Sequence, residues 1–145
     1  MEEKIKHLEF IQGVINRMAG NSFLLKGWSL TLVSALIALG TKDTRPEFVI
    51  LALLPAVAFW ILDGYFLRQE RLFRKLYDKI RLQNGDANFS MDTQEFMRLP
   101  CTPKANNDGK VSNILGVCFS LTLICFHGAI LLAVILMYIV LKFCA

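Results

Sequence analysis

A lysine and an aspartate stand inside apolar stretches of this chain, Lys26 in the first and Asp63 in the second. Charged side chains in such surroundings are costly unless they meet each other or water. Counted from the polar loop between the two stretches, their depths match, with 14 residues from Lys26 to Gly40 and 16 from Glu47 to Asp63. That register suits an ion pair between two antiparallel helices, with Lys26 snorkelling its ammonium toward the surface. A second reading of the same pair is a vestibule in which Asp63 selects or gates cations.

The third apolar stretch carries His127 near its middle. On a helical wheel Asn113, Gly116, Ser120, His127 and Tyr138 share a narrow arc, while Cys118 and Cys125 point the other way. A polar stripe on a lipid-embedded helix must meet another helix or water. It therefore reads either as a packed interface in which His127 is hydrogen bonded, or as a pore lining in which its protonation switches conductance. Three spans enclose no channel alone, so a pore requires an oligomer.

Other chemistry is not signalled. The chain has no Gly-rich phosphate loop, GxSxG or HExxH, and its two histidines, His7 and His127, are far apart. The cysteines at 101, 118, 125 and 144 make neither a CxxC pair nor a zinc spacing, and Cys118 and Cys125 read as small hydrophobes. No catalytic residue, cofactor or metal is expected, and the chain does not read as an enzyme.

The elements that must position these residues follow from composition. Of 145 residues 54% are hydrophobic, gathered in blocks over 22–38, 48–67 and 111–141. A hydrocarbon core of ~30 Å needs ~20 such residues in helix. The expected fold is all-α, an integral membrane protein with three transmembrane helices plus amphipathic cytosolic helices.

Four regions follow. Residues 1–20 form a cytosolic amphipathic helix with Ile5, Leu8, Ile11, Ile15 and Met18 at helical spacing. Gly20-Asn21-Ser22 ends it, and Asn21 or Ser22 caps the next helix. Residues 21–67 are a transmembrane hairpin, with small residues Thr31, Ser34, Ala35 and Ala38 in span one and a kink at Pro55 in span two. Residues 68–110 hold a basic helix ended by Asn84-Gly85-Asp86, a short helix from Met91 to Leu99, and an irregular linker. Residues 111–145 form the third span, a single helix of about 46 Å over 111–141.

Basic residues cluster before the first block and between the second and third, and the loop after the first holds only Lys42 and Arg45. The positive-inside rule puts the N-terminus in the cytosol and the C-terminus outside. Arg68, Arg71, Arg74, Lys75, Lys79 and Arg81 read as a surface attracted to anionic headgroups or docking a partner. Nucleic acid is not expected among the partners, since a basic helix beside a membrane is weak evidence for it.

The motifs Asn21-Ser22-Phe23-Leu24-Leu25-Lys26-Gly27-Trp28-Ser29-Leu30-Thr31-Leu32-Val33 and Asp63-Gly64-Tyr65-Phe66-Leu67-Arg68-Gln69-Glu70-Arg71-Leu72-Phe73-Arg74-Lys75-Leu76-Tyr77 resemble small bacterial multi-span membrane proteins encoded beside antiphage systems, including RADAR-type modules. The arrangement is also similar to the SLATT class of two-span effectors, from which the third span departs. The resemblance covers residues 1–82. It implies a homo-oligomeric effector of the bacterial inner membrane that perturbs the bilayer on infection, with membrane lipids and a cytosolic defence protein or signalling ligand as partners. The alternative is a non-conducting anchor that recruits a defence enzyme through residues 68–110.

Overall fold

The computed structural model describes residues 2–42, 46–83, 89–97 and 111–144. Five α-helices follow in order: α1 (Glu2–Lys42), α2 (Pro46–Leu51), α3 (Leu53–Leu82), α4 (Ile114–Cys118) and α5 (Leu121–Cys144), with one 3-10 turn at Gln94–Phe96. The described residues are all-α, and their only extended pairing is an isolated bridge between Met97 and Val111. Three helical stretches are long and apolar enough to cross a membrane, at Glu2–Lys42, Glu47–Leu82 and Leu121–Phe143. Phe23, Trp28, Leu54, Leu121 and Leu132 lie on their exposed faces. In water such a surface would aggregate; in lipid it is already solvated. The chain is a membrane protein.

The first two regions join where a break was expected. α1 passes through Gly20-Asn21-Ser22 without interruption. Cap and stop signals are local, and here a longer pattern overrides them. Ile11, Ile15, Ser22, Ser29, Val33 and Gly40 are buried, and with half-buried Met18, Lys26 and Leu36 they repeat at steps of three or four. One seam of that period lets a helix keep contact along its whole length. Ile5 falls off the seam and is exposed, whereas His7 is buried.

α1 packs antiparallel along α3. At one end of the pair, Ile11 and Ile15 meet Leu76 and Ile80. Lys4 Nζ there donates to the carbonyls of Arg81 and Gln83, at 3.0 and 2.8 Å. These are orphan acceptors at the C-terminus of α3, where the helix dipole also favours a cation. Toward the other end, Val33, Val49, Ala52, Ala56, Ile130 and Val134 bind all three spans into one apolar cluster.

Span two, expected to kink at Pro55, is interrupted just before it. Regular helix stops at Leu51 and resumes at Leu53. Proline has no N–H to offer the Leu51 carbonyl four residues back, and its ring crowds that carbonyl. The third span, by contrast, is not one helix. It breaks at Phe119–Ser120 between α4 and α5, and the Phe119 and Ser120 amides turn back to Leu115 and Val117.

Of the short helix expected over Met91–Leu99, the described residues form only the 3-10 turn at Gln94–Phe96. Asp92 Oδ1 accepts from the Gln94 amide at 2.8 Å, an Asx-type contact that competes with a longer helix. The Asn84-Gly85-Asp86 turn, Cys101 and the linker over 98–110 lie outside the described residues.

Candidate functional site

The site is built where the three spans meet between their apolar clusters. α3 presents Asp63, fully buried, toward α1 and α5. From α1, Ser22 and Lys26 stand one turn apart on the buried seam, so both reach the same carboxylate. Lys26 Nζ lies 2.6 Å from Asp63 Oδ2 and donates to Ser22 Oγ at 2.9 Å. Ser22 Oγ in turn donates to Asp63 Oδ1. From α5, His127 Nε2 donates to Asp63 Oδ2 at 3.0 Å.

Three helices thus spend their polar groups on one carboxylate. Lys26 and Asp63 balance in charge, and His127 adds a third hydrogen-bonding partner to the buried carboxylate, which suits a hydrocarbon surrounding. The Lys26 side chain is 27% exposed and that of Asp63 is not exposed at all. The lysine therefore turns its ammonium inward to the buried carboxylate, the reverse of the snorkelling expected for it.

An aromatic wall closes the site. The Trp60 ring stacks on His127 with centroids 6.0 Å apart and planes 10° apart, and Phe126 meets the imidazole edge-on at 5.1 Å. Trp60 Nε1 donates to the Cys118 carbonyl at 3.0 Å, which ties α3 to the last residue of α4. Beside Asp63, Gly64 lets α4 come close, because a Cβ there would overlap Cys118 Sγ.

Lys26 and Asp63 are therefore paired as their depths predicted. The polar stripe is not held together. His127 is buried on Asp63, but Gly116 is exposed, and Asn113 and Ser120 are half-buried. Ser120 Oγ is 3.4 Å from Thr122 Oγ1, and Tyr138 packs with the apolar cluster. The break at Phe119–Ser120 is the cause, because a wheel drawn across it carries the wrong phase. The same break turns Cys118 inward to Gly64 while Cys125 stays exposed.

Ser22 and Trp60 were not anticipated in the site. Ser22 had a signal: it lies four residues before Lys26, the i,i+4 spacing that shares one helix face. Trp60 is three residues before Asp63 and carries the same kind of hint.

The basic segment is partly consumed within the chain. Arg68 Nε donates to the Ser112 carbonyl at 3.2 Å, Arg74 pairs with Glu70 at 2.7 Å, and Lys79 with Glu95 at 2.7 Å. Arg81 stands 3.6 Å from Asp78. Arg71 and Lys75 form no ion pair among the described residues.

No protein-family model matches this chain. Neither a curated protein nor a solved structure matches it. Among the described residues no group of His, Cys, Asp and Glu is arranged to hold a metal ion.

Proposed function

We propose that the chain is an oligomeric membrane effector that perturbs a bilayer by forming a pore or ion channel when copies associate along α1. The observation that carries this is the outward face of α1. Gly13, Gly20, Gly27, Ser34 and Thr41 follow one another at steps of seven and are all exposed. At the three glycines a Cβ would meet nothing within 4 Å. Thr31 and Ser34 donate their hydroxyls to the Gly27 and Thr31 carbonyls of their own helix, so close packing leaves neither unsatisfied. Membrane helices associate through such small faces, where backbones approach and dispersion contacts accumulate.

The setting of the proposal rests on the sequence. Charge placement puts the N-terminus in the cytosol and the C-terminus outside. The resemblance read in the sequence of residues 1–82 supports a bacterial inner membrane as the chain's setting and a cytosolic defence protein or signalling ligand as its trigger. The working event is mechanical and electrostatic, with no catalytic step. Asp63 and Lys26 form its gate.

A second reading is a non-conducting anchor. It is favoured by the closure of the cluster within one chain, since Asp63 takes three partners and leaves no carboxylate oxygen for a passing ion.

The test is particle mass in nanodiscs together with ion flux from liposomes. Wild-type particles of four or more chains that release ions, with Gly27→Leu reverting to smaller particles and losing flux, are the expected result. A monomer would overturn the assembly. Oligomers silent under every trigger tried would leave the anchor.

A further inference from the structure

Beyond the apolar run of α3, which ends at Leu67, a cleft of about 310 Å³ opens between α3 and the segment entering α4. Arg71, Arg74, Lys75, Asp78, Val111 and Ser112 line it. Its volume equals roughly ten water molecules, ample for a phosphate group and its first substituents.

The charges in the cleft are not balanced from within. Arg74 is engaged by Glu70 and Asp78 faces Arg81. That leaves Arg71 and Lys75 as the cations of the cleft with no ion pair among the described residues. They stand four residues apart on one helix face, where like charges repel. An anion between them removes the repulsion, and a guanidinium fork beside an ammonium is a donor set suited to phosphate oxygens. The bond from Arg68 to the Ser112 carbonyl holds the far wall against α3 at 3.2 Å.

Depth indicates where the anion comes from. At 1.5 Å per residue, Arg71 lies about 6 Å and Lys75 about 12 Å beyond Leu67. The headgroup layer on one face of a bilayer is about 6 Å thick. Arg71 therefore sits at the outer edge of the headgroup layer and Lys75 about 6 Å beyond it, a gap that its long side chain can bridge back toward the headgroups. We propose that this cleft is a specific site for a phosphate anion, supplied at that depth by an anionic phospholipid headgroup. It needs only that the chain spans a membrane and is independent of the oligomer proposed above.

The full chain is placed in phosphatidylcholine nanodiscs doped with phosphatidylglycerol, and retained lipid is counted by native mass spectrometry. Wild-type protein should retain phosphatidylglycerol preferentially. Arg71→Gln/Lys75→Gln should lower that preference roughly tenfold or more. Lys6→Gln/Arg17→Gln, which removes the same charge from the exposed side of α1, should not. Inorganic phosphate titrated into phosphatidylcholine-only nanodiscs separates the sources. Saturable binding abolished by Arg71→Gln/Lys75→Gln would sustain the phosphate site and make its source soluble. Equal losses in both double variants, or no preference and no phosphate binding in the wild type, would overturn the site.

Discussion

Gly64 and Cys118 touch so closely that the glycine has no room for a methyl group while the sulfur stays in place. Their contact fixes the distance between α3 and α4, directly beside the buried carboxylate of Asp63. Gly64→Ala should lower thermal stability in detergent by about 1–3 kcal/mol, the usual cost of overpacking. Gly64→Ala/Cys118→Ala should recover most of that loss, because the remaining Cys118 atoms stand 3.5 Å from the new methyl. A double variant no more stable than Gly64→Ala would show that the contact is not what sets the spacing.

Asp63 holds three partners, so its removal should cost more than the removal of any one of them. Asp63→Ala strands Ser22, Lys26 and His127 together and should cost about 3–5 kcal/mol. His127→Ala leaves the carboxylate with Ser22 and Lys26 and should cost about 1–3 kcal/mol. Lys26→Met/Asp63→Asn keeps an acceptor and a donor at position 63 without charge, and should unfold closer to wild type than Asp63→Ala. Thermal scans in one detergent rank all three, and any other order contradicts the shared-carboxylate geometry.

Trp60 has two separable jobs. Trp60→Phe keeps a ring over His127 but drops the bond to the Cys118 carbonyl, and should cost about 1 kcal/mol. Trp60→Leu loses the stack as well, adding about 0.5–1.5 kcal/mol. Equal unfolding midpoints for the two variants would leave the stack without energetic weight.

Buried and exposed contacts around the 3-10 turn should differ sharply. Leu72 is fully buried with Val111 and Val117, so Leu72→Ala should cost about 2–5 kcal/mol. Glu95 meets Lys79 with both side chains about half exposed, at 50% and 49%. Glu95→Gln should therefore change stability by about 1 kcal/mol at most, and less as salt is raised. Denaturation at two salt concentrations checks both.

Much of this architecture is legible in the amino-acid sequence. Segregated apolar blocks announce the spans, Pro55 announces a disturbance in the second, and similar depths announce the meeting of Lys26 and Asp63. What misled was local grammar. Gly20-Asn21-Ser22 reads as an end and a beginning, yet the helix continues because its seam packs on α3 throughout. Asn21 or Ser22 then reads as a cap, whereas the Ser22 hydroxyl donates to Asp63. The break at Phe119–Ser120 contains neither proline nor glycine, so the wheel drawn across it placed Cys118 on the wrong side. The pairing of His127 with Asp63 joins residues 64 positions apart, and no local pattern records such a distance.

The unbroken stretch of α3 has one more consequence. The helix is gripped at Asp63 by both neighbours, and from there it runs rigidly about 28 Å to Leu82 but only about 15 Å to Leu53, where it is cut. With α1 carried along on its seam, the pair makes a lever of unequal arms, and the carboxylate is its fulcrum. A sideways push at the charged tip arrives at the inner end reversed in direction and reduced by about half. The short arm ends at Ala52, where the regular helix is interrupted.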